Sequence, residues 1–444
     1  MRFIDPKNKD LVELLTSQPV NPLYFCTLMF KSRLIGMSFF MVFFLAIDLY
    51  AWFGLKVVTQ NWSERSRLIL KWVYWGYTAA MMIFWTLQRF DAITISPQVL
   101  RYVAVFFFLV TIAKLIWALF LMTDDLLRLF RWIYAYFFTD NTEVPNNPAG
   151  MTRLKFLNYL GLGIGAAFVG TAIWGVVKGA HNYQIKRRKL SIKGLPKAFE
   201  GLKIVQISDI HSGSFWSREA VARGIDMIKA EKADMVFFTG DLVNDRSDEV
   251  LPWMDLFGQI KAPMGVYSIL GNHDYGDYVP WPSPQAKKKN LEDLISYHKQ
   301  MGWDILLDEH RVVEKDGEKL GIIGVQNWSA KGRFPKYGDL DKASQGLDTS
   351  VQLLLSHDPS HWREQVLGKT QIAATFSGHT HGMQFGVDTK FYRWSPVKMV
   401  YKEWLDLYTE KDQHLYVNRG FGYLGYPGRM GIFPEISVHT LTGA

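Results

Sequence analysis

Five short blocks of chemistry-bearing residues punctuate the second half of the chain. Asp209 and His211 form D-x-H, Gly240 and Asp241 form G-D, Gly271, Asn272, His273 and Asp274 form G-N-H-D, His357 stands alone, and Gly378, His379, Thr380 and His381 form G-H-T-H. Each follows a run of β-type residues (IVQIS, MVFFT, VYSIL, LLLS, IAATFS), which places it at a strand's carboxyl end, where α/β sheets collect their sites. His, Asp and Asn supply imidazole nitrogens and oxygens without sulfur, a donor set that suits Mn, Fe or Zn better than iron–sulfur clusters or structural zinc. Seven such donors with one shared carboxylate can hold two ions about 3.5–4 Å apart, the arrangement used for displacement at phosphorus. Of the chain's eleven histidines five lie in these blocks. One alone would read as a hydrogen-bonded core residue; five, in order and each behind a strand, read as a site. Gly240, Gly271 and Gly378 let the backbone turn sharply beside it.

This ordered pattern resembles the calcineurin-like metallophosphoesterases, whose blocks run D-x-H, G-D, G-N-H-D/E, H and G-H-x-H; the match covers roughly residues 200–385 without a departure. The resemblance implies two mixed β-sheets packed as a sandwich and flanked by helices. It also implies an assignment of two divalent metal ions (Mn, Fe or Zn). Asp209, His211, Asp241 and His381 would hold the first, and Asp241, Asn272, His357 and His379 the second, with Asp241 as the bridge. His273 would face the phosphoryl group instead of binding metal, and Asp274 would orient its imidazole in a general acid–base arrangement.

A narrower likeness comes from GHTHGMQFG and the tail YVNRGFGYLGYPGRMGIFPEI, which are similar to membrane-associated bacterial phosphoesterases of G-H-T-H-G-G-Q form; Met383 replaces the second Gly. That branch implies lipid-linked phosphate substrates, with cleavage of UDP-2,3-diacylglucosamine in lipid A synthesis as the leading specific candidate, and the bacterial inner membrane as location. For substrate contacts, Tyr278 and Trp281 could form a rim or belong to an ordinary surface loop. Arg333 and Arg419 could clamp phosphate as planar forks or serve in surface ion pairs.

These blocks need a scaffold. Residues 1–189 hold 21 Lys+Arg against 10 Asp+Glu, a balance of +11, and the rest of the chain is therefore at −3. The basic surplus coincides with long apolar runs, so it reads as juxtamembrane charge and not as a nucleic-acid footprint. A single cysteine, Cys26, excludes an internal disulfide framework. Four runs, Leu34–Val58, Leu68–Leu87, Tyr102–Met122 and Phe156–Val177, approach the roughly 20 apolar residues that a bilayer crossing needs. Asp124–Phe138 reads as an interfacial amphipathic helix, and 141–150 as a loop. Asp48 and Lys114 fall deep inside two runs, as a structural ion pair or as part of a pathway.

The expected organisation is a helical transmembrane bundle over 1–180, then an α/β metallophosphoesterase domain over 181–444, with strands and helices alternating. The side of the membrane stays open. Lys+Arg in the flanks number 12 on the domain's side and 6 on the other, which favours the cytoplasm. Thr152–Gly161 resembles a twin-arginine export signal with Leu154 at the second Arg, which favours the exterior. The expected activity is two-metal hydrolysis of a phosphoester or phosphoanhydride on a phosphorylated small molecule or lipid-linked substrate at the bilayer. A non-catalytic, metal-dependent receptor for phosphorylated headgroups is the alternative.

Overall fold

The computed structural model describes residues 22–444 apart from 91, 92, 94, 139–148 and 333. Arg333 and most of the 141–150 segment therefore lie outside the described residues. The chain divides into two compact units, one ending at Val169 and one running from Gly170 to Ala444.

The first unit is built from α1 (Pro22–Val58), α2 (Glu64–Arg89), α3 (Pro97–Phe138) and most of α4 (Ala149–Val177). Among the described residues three segments, Phe40–Val58, Val99–Phe138 and Lys155–His181, are long and apolar enough to cross a membrane. The expected second span, on α2, is helical, but its Lys, Trp, Tyr, Thr and Gln residues leave it less apolar than the other three. Asp124–Phe138 is not a separate interfacial helix: it continues α3 without a break, because no Gly or Pro interrupts the sequence there.

Polar side chains inside this unit satisfy one another. Lys114 Nζ lies 2.6 Å from Asp48 Oδ1, and both are buried. The Thr78 hydroxyl donates to the other carboxylate oxygen, and the Lys114 ammonium sits 4.4 and 4.3 Å from the ring centroids of Tyr74 and Tyr77. A fully partnered pair of this kind joins α1, α2 and α3, which is the structural reading of the two charges. Asn158 does the same elsewhere, donating to Gly54 O at 2.8 Å and accepting from Trp117 Nε1 at 2.6 Å.

The second unit contains two six-stranded mixed sheets. The first has the order β1 (Gln184–Ile192), β14 (Glu435–Gly443), β2 (Lys203–Ile207), β3 (Met235–Phe238), β4 (Val266–Ser268), β5 (Asp304–Ile305). The second runs β12 (Asp406–Glu410), β13 (Gln413–Val417), β9 (Ile372–Ser377), β8 (Gln352–Leu355), β7 (Glu318–Gly324), β6 (Glu309–Lys315). A two-stranded hairpin, β10 (Val387–Asp388) with β11 (Arg393–Trp394), belongs to neither.

Strands β2, β3 and β4 are parallel, as are β7, β8 and β9. These strands are apolar on both faces, as buried parallel strands must be. Phe237, Phe376, Leu353 and Tyr416 fill the core between the sheets. Helices α5 (Arg218–Ala230) and α6 (Pro284–Gln300) cover the outer face of the first sheet, burying Val221, Ile225 and Leu294. Parallel strands point their carboxyl ends the same way, so the loops after β2, β3, β4, β8 and β9 can converge.

Candidate metal centre

Those five loops meet. Asp209, His211 and His381 place one ligand atom each within 4.8 Å of one another, and Asp209, Asp241 and His357 form a second such group; all are buried. Nε2 of His211 lies 3.1 Å from Nε2 of His381, which in turn lies 3.3 Å from Asp209 Oδ1. Asp241 Oδ2 stands between the groups, 3.5 Å from His211 Nε2 and 3.1 Å from His357 Nε2. Asn272 Oδ1 and His379 Nδ1 face each other at 2.7 Å. Imidazole nitrogens crowd oxygens and one another here because their lone pairs aim at the same small volumes.

The backbone is bent to make this possible. Asp209, His211, Asp241, His379 and His381 have φ of +50°, +48°, +60°, +70° and +50°, a left-handed conformation that costs a non-Gly residue about 1–3 kcal/mol and collects at functional sites. Asp and His tolerate it better than most residues. Gly271 and Gly378 are needed for space and not for φ: a Cβ on Gly271 would collide with the Asp241 carboxylate, and one on Gly378 with Ser208 Oγ and Asp209. Met383, where the resembling branch has Gly, itself sits at φ +56°, which explains why Gly suits that position.

The electrostatics fit divalent cations. Burial opposes the charge of Asp241, yet the imidazoles of His357, His273 and His211 hold its carboxyl well below the usual range. Burial lowers His211 to about 3 and His379 to about 4, which keeps both neutral, as metal ligands must be. His357 is also buried, but the carboxylates of Asp241 and Asp209 push it up to about 10; positive charge is drawn to this point. Its Nδ1 donates to Thr239 O at 2.7 Å, which turns Nε2 toward Asp241 Oδ2, 3.1 Å away. A divalent ion between these carboxylates would displace the proton on Nε2 and take that nitrogen as a ligand.

A supporting layer fixes these ligands. His379 Nε2 donates to Tyr401 Oη at 2.8 Å, and the Tyr401 hydroxyl donates to Asp358 Oδ2 at 3.1 Å, which leaves His379 Nδ1 as the coordinating atom. Arg429, fully buried, brings Nη2 to 3.1 Å from His381 Nδ1. No motif marks Tyr401 or Asp358, and the tail motif that contains Arg429 gives it no role, because these roles depend on contacts between distant loops; Asp358 has one hint, that it follows His357.

His273 stands beside the ligand groups without joining either one. Its ring is 5.0 Å from that of His211 and 4.7 Å from that of Tyr278. Asp274 does not orient it. The Asp274 carboxylate accepts backbone N–H bonds from Asp241, Leu242 and Gly271 at 2.8–2.9 Å, bracing the loop that carries Asp241. The Asn244 carbonyl orients the imidazole instead, accepting from His273 Nδ1 at 2.7 Å.

Of the remaining candidates, Tyr278 is at the site, accepting from Asn272 Nδ2 at 3.0 Å. Trp281 is held away from the ligands, donating to Gly276 O at 2.7 Å and stacking under Arg246. Arg419 is not free to clamp phosphate: it is buried between Asp388 and Glu435, 2.7 Å from each. The pair of acids neutralises it where solvent cannot.

Residues 202–383 match the family model "Calcineurin-like phosphoesterase", and residues 32–180 match "Probable Calcineurin-like phosphoesterase, transmembrane domain". An uncharacterized metallophosphoesterase, YkuE, of Bacillus subtilis is 30% identical over 66% of this chain and 98% of its own length. A transmembrane protein with metallophosphoesterase domain from Danio rerio is 27% identical over 60% of this chain, and the chain spans only 59% of that relative. A Helicobacter pylori metallophosphoesterase is 27% identical over 64% of this chain and 71% of its own. The chain belongs to the calcineurin-like phosphoesterases, enzymes that hydrolyse phosphoesters at a dinuclear divalent metal centre, and it is a membrane protein of that family.

Proposed function

We propose that this chain hydrolyses a phosphoester or phosphoanhydride of a membrane-associated, lipid-linked compound. The observation that carries the reading is the position of Asp241 Oδ2 between the imidazoles of two ligand groups, His211 and His357. Asp209, His211, Asp241 and His381 would hold one ion, and Asp241, Asn272, His357 and His379 the other. Bound there, two divalent ions supply a water of lowered pKa and polarise the phosphoryl oxygens.

The rest falls to the chain's own groups. His273, its Nδ1 proton given to the Asn244 carbonyl, keeps Nε2 for exchanging a proton with the leaving oxygen. Tyr278 covers the outer face of that imidazole. A receptor that only binds headgroups has no use for an acid placed in this way, which favours turnover over binding alone.

The lipid-linked substrate is inferred from the apolar, membrane-length helices of the same chain, which concentrate the protein where amphiphilic headgroups are. Cleavage of a UDP-2,3-diacylglucosamine-type pyrophosphate is the specific candidate, and a multi-pass arrangement in a bacterial inner membrane is the setting we infer. Purified protein in detergent, given 4-nitrophenyl phosphate and Mn²⁺, should turn over, and Asp241→Ala or a chelator should remove at least about 99% of the rate. An undiminished rate in either case would overturn the proposal. Turnover of nucleotide-diphosphate lipids against simple phosphomonoesters then selects the substrate.

A further inference from the structure

The chain between His381 and Tyr401, two residues of the metal centre, is apolar and exposed. Phe391 is 98% exposed and Met399 86%, and Met383, Tyr392 and Val400 are more exposed than not. The segment contains the β10–β11 hairpin, which joins neither sheet among the described residues. A two-stranded hairpin is marginal on its own, yet this one is firmly mounted. Thr389 closes its turn through bonds with Tyr392, Asp388 pairs with Arg393 and Arg419, and a small core of Val397, Tyr401, Trp404, Leu405 and Ile432 lies beneath. A rigid, uncovered apolar surface marks an interaction site.

Its mounting says which one. Gly386 N donates to Met430 O at 2.9 Å, and Met430 N to Gln384 O at 2.8 Å, so the hairpin's base is zipped to the 430 segment. That segment is fixed to the end of α4: Arg429 N donates to Gly175 O at 3.1 Å, the Tyr426 hydroxyl donates to Ala172 O, and Trp174 packs its ring against Phe433. Gly175 and Gly179 permit the approach, since a Cβ on either would press into Arg429 O. Ala172–Gly179 lies in the apolar stretch Lys155–His181.

The hairpin therefore emerges at the level of the last turns of a membrane-spanning segment. From 383 to 402 it carries Lys390, Arg393, Lys398 and Lys402 against Asp388 alone. Exposed aromatic and aliphatic residues with cations beside them suit the anionic interface of a bilayer. The same helix end also lines a cleft of about 440 Å³ with Trp174, Lys178, Trp216 and Arg223, of the same mixed character.

We infer that the 383–400 hairpin is a bilayer-docking rim, seated in the lipid interface through Phe391, Tyr392 and Met399, so that the metal centre's own edge meets the membrane surface. Docking is a separate matter from hydrolysis and is tested separately.

A nitroxide is attached at Phe391→Cys or Met399→Cys in full-length Cys26→Ser protein, in phosphatidylcholine–phosphatidylglycerol vesicles. Both labels should be accessible to O₂ and shielded from a polar nickel chelate, unlike a label at Glu314→Cys on β6. Accessibility to the chelate equal to that at 314 overturns the inference, and so does shielding from both reagents, which would signify a protein contact. The double variant Phe391→Ser/Met399→Ser should keep its rate on soluble 4-nitrophenyl phosphate and lose about tenfold in kcat/KM on a phosphate lipid presented in vesicles. An equal loss on both substrates would overturn it. Absence of turnover in the parent protein would count against the hydrolase reading and leave the label result to decide the docking.

Discussion

His273 divides binding from chemistry in this site. Its imidazole touches the ligand groups edge-on without entering them, and the Asn244 carbonyl fixes its tautomer. His273→Ala should therefore keep both metal ions, measured by elemental analysis, while kcat falls by about 10²–10⁴, the usual worth of a positioned acid. Metal loss in that variant would show that the residue is a ligand. Residue types and order in the sequence picked out the five residues that gather into two ligand groups, and Asn272 and His379, which face each other. They misjudged Asp274. For Asp274 the error was adjacency: a carboxylate next to an imidazole in sequence looks like its orienter, but the turn after β4 points it at the backbone N–H groups of Asp241 and Leu242 instead. For Arg419 the ion-pair alternative holds, but inside the fold and not at the surface, since the sequence does not show that Asp388 and Glu435 fold against it.

Among the elements, the parallel strands were legible because their apolar runs are continuous and end in chemistry. The edge elements were not. β1 is rich in Lys and Arg and reads as a charged linker, but Arg188 pairs with Asp406 at the start of β12, as does Arg393 of the hairpin. This cluster joins both sheets and the docking segment. Burial opposes the Asp406 charge, but Arg188 and Arg393 lower its pKa to about 2 from an ordinary 3.8. A carboxylate held low in the fold stabilises it in full above pH 4 or so, and that contribution disappears as pH falls towards 2. Asp406→Asn should accordingly melt a few degrees below the parent at pH 6, and the gap should close between pH 4 and 2. A gap independent of pH would mean that packing, not charge, is what Asp406 provides.

For the whole molecule, metal and fold are linked. Five ligand residues are held in left-handed backbone and buried imidazoles converge on the Asp209 and Asp241 carboxylates, so ions that bind only the native state should stabilise it. At a free concentration near 100 Kd the gain is about 2.7 kcal/mol. Melting of the full-length protein in detergent should fall by several degrees on adding a chelator and recover with Mn²⁺. Asp241→Ala should start low and show no further drop. If the variant shifts as much as the parent, the chelator acts elsewhere.

By itself the sequence determined the chemistry and the class: donor types in a fixed order, each behind an apolar strand, and long apolar helices ahead of them. These are local patterns, and strand period, donor identity and span length are all carried by neighbours in the chain. What the tertiary structure decided are the relations between distant segments: which carbonyl holds His273, how Tyr401 and Asp358 set His379, and where the 383–400 hairpin is mounted on the end of α4. Such relations come from how loops cross in space. No spacing in the chain encodes them, because the residues concerned lie from about 20 to more than 200 positions apart.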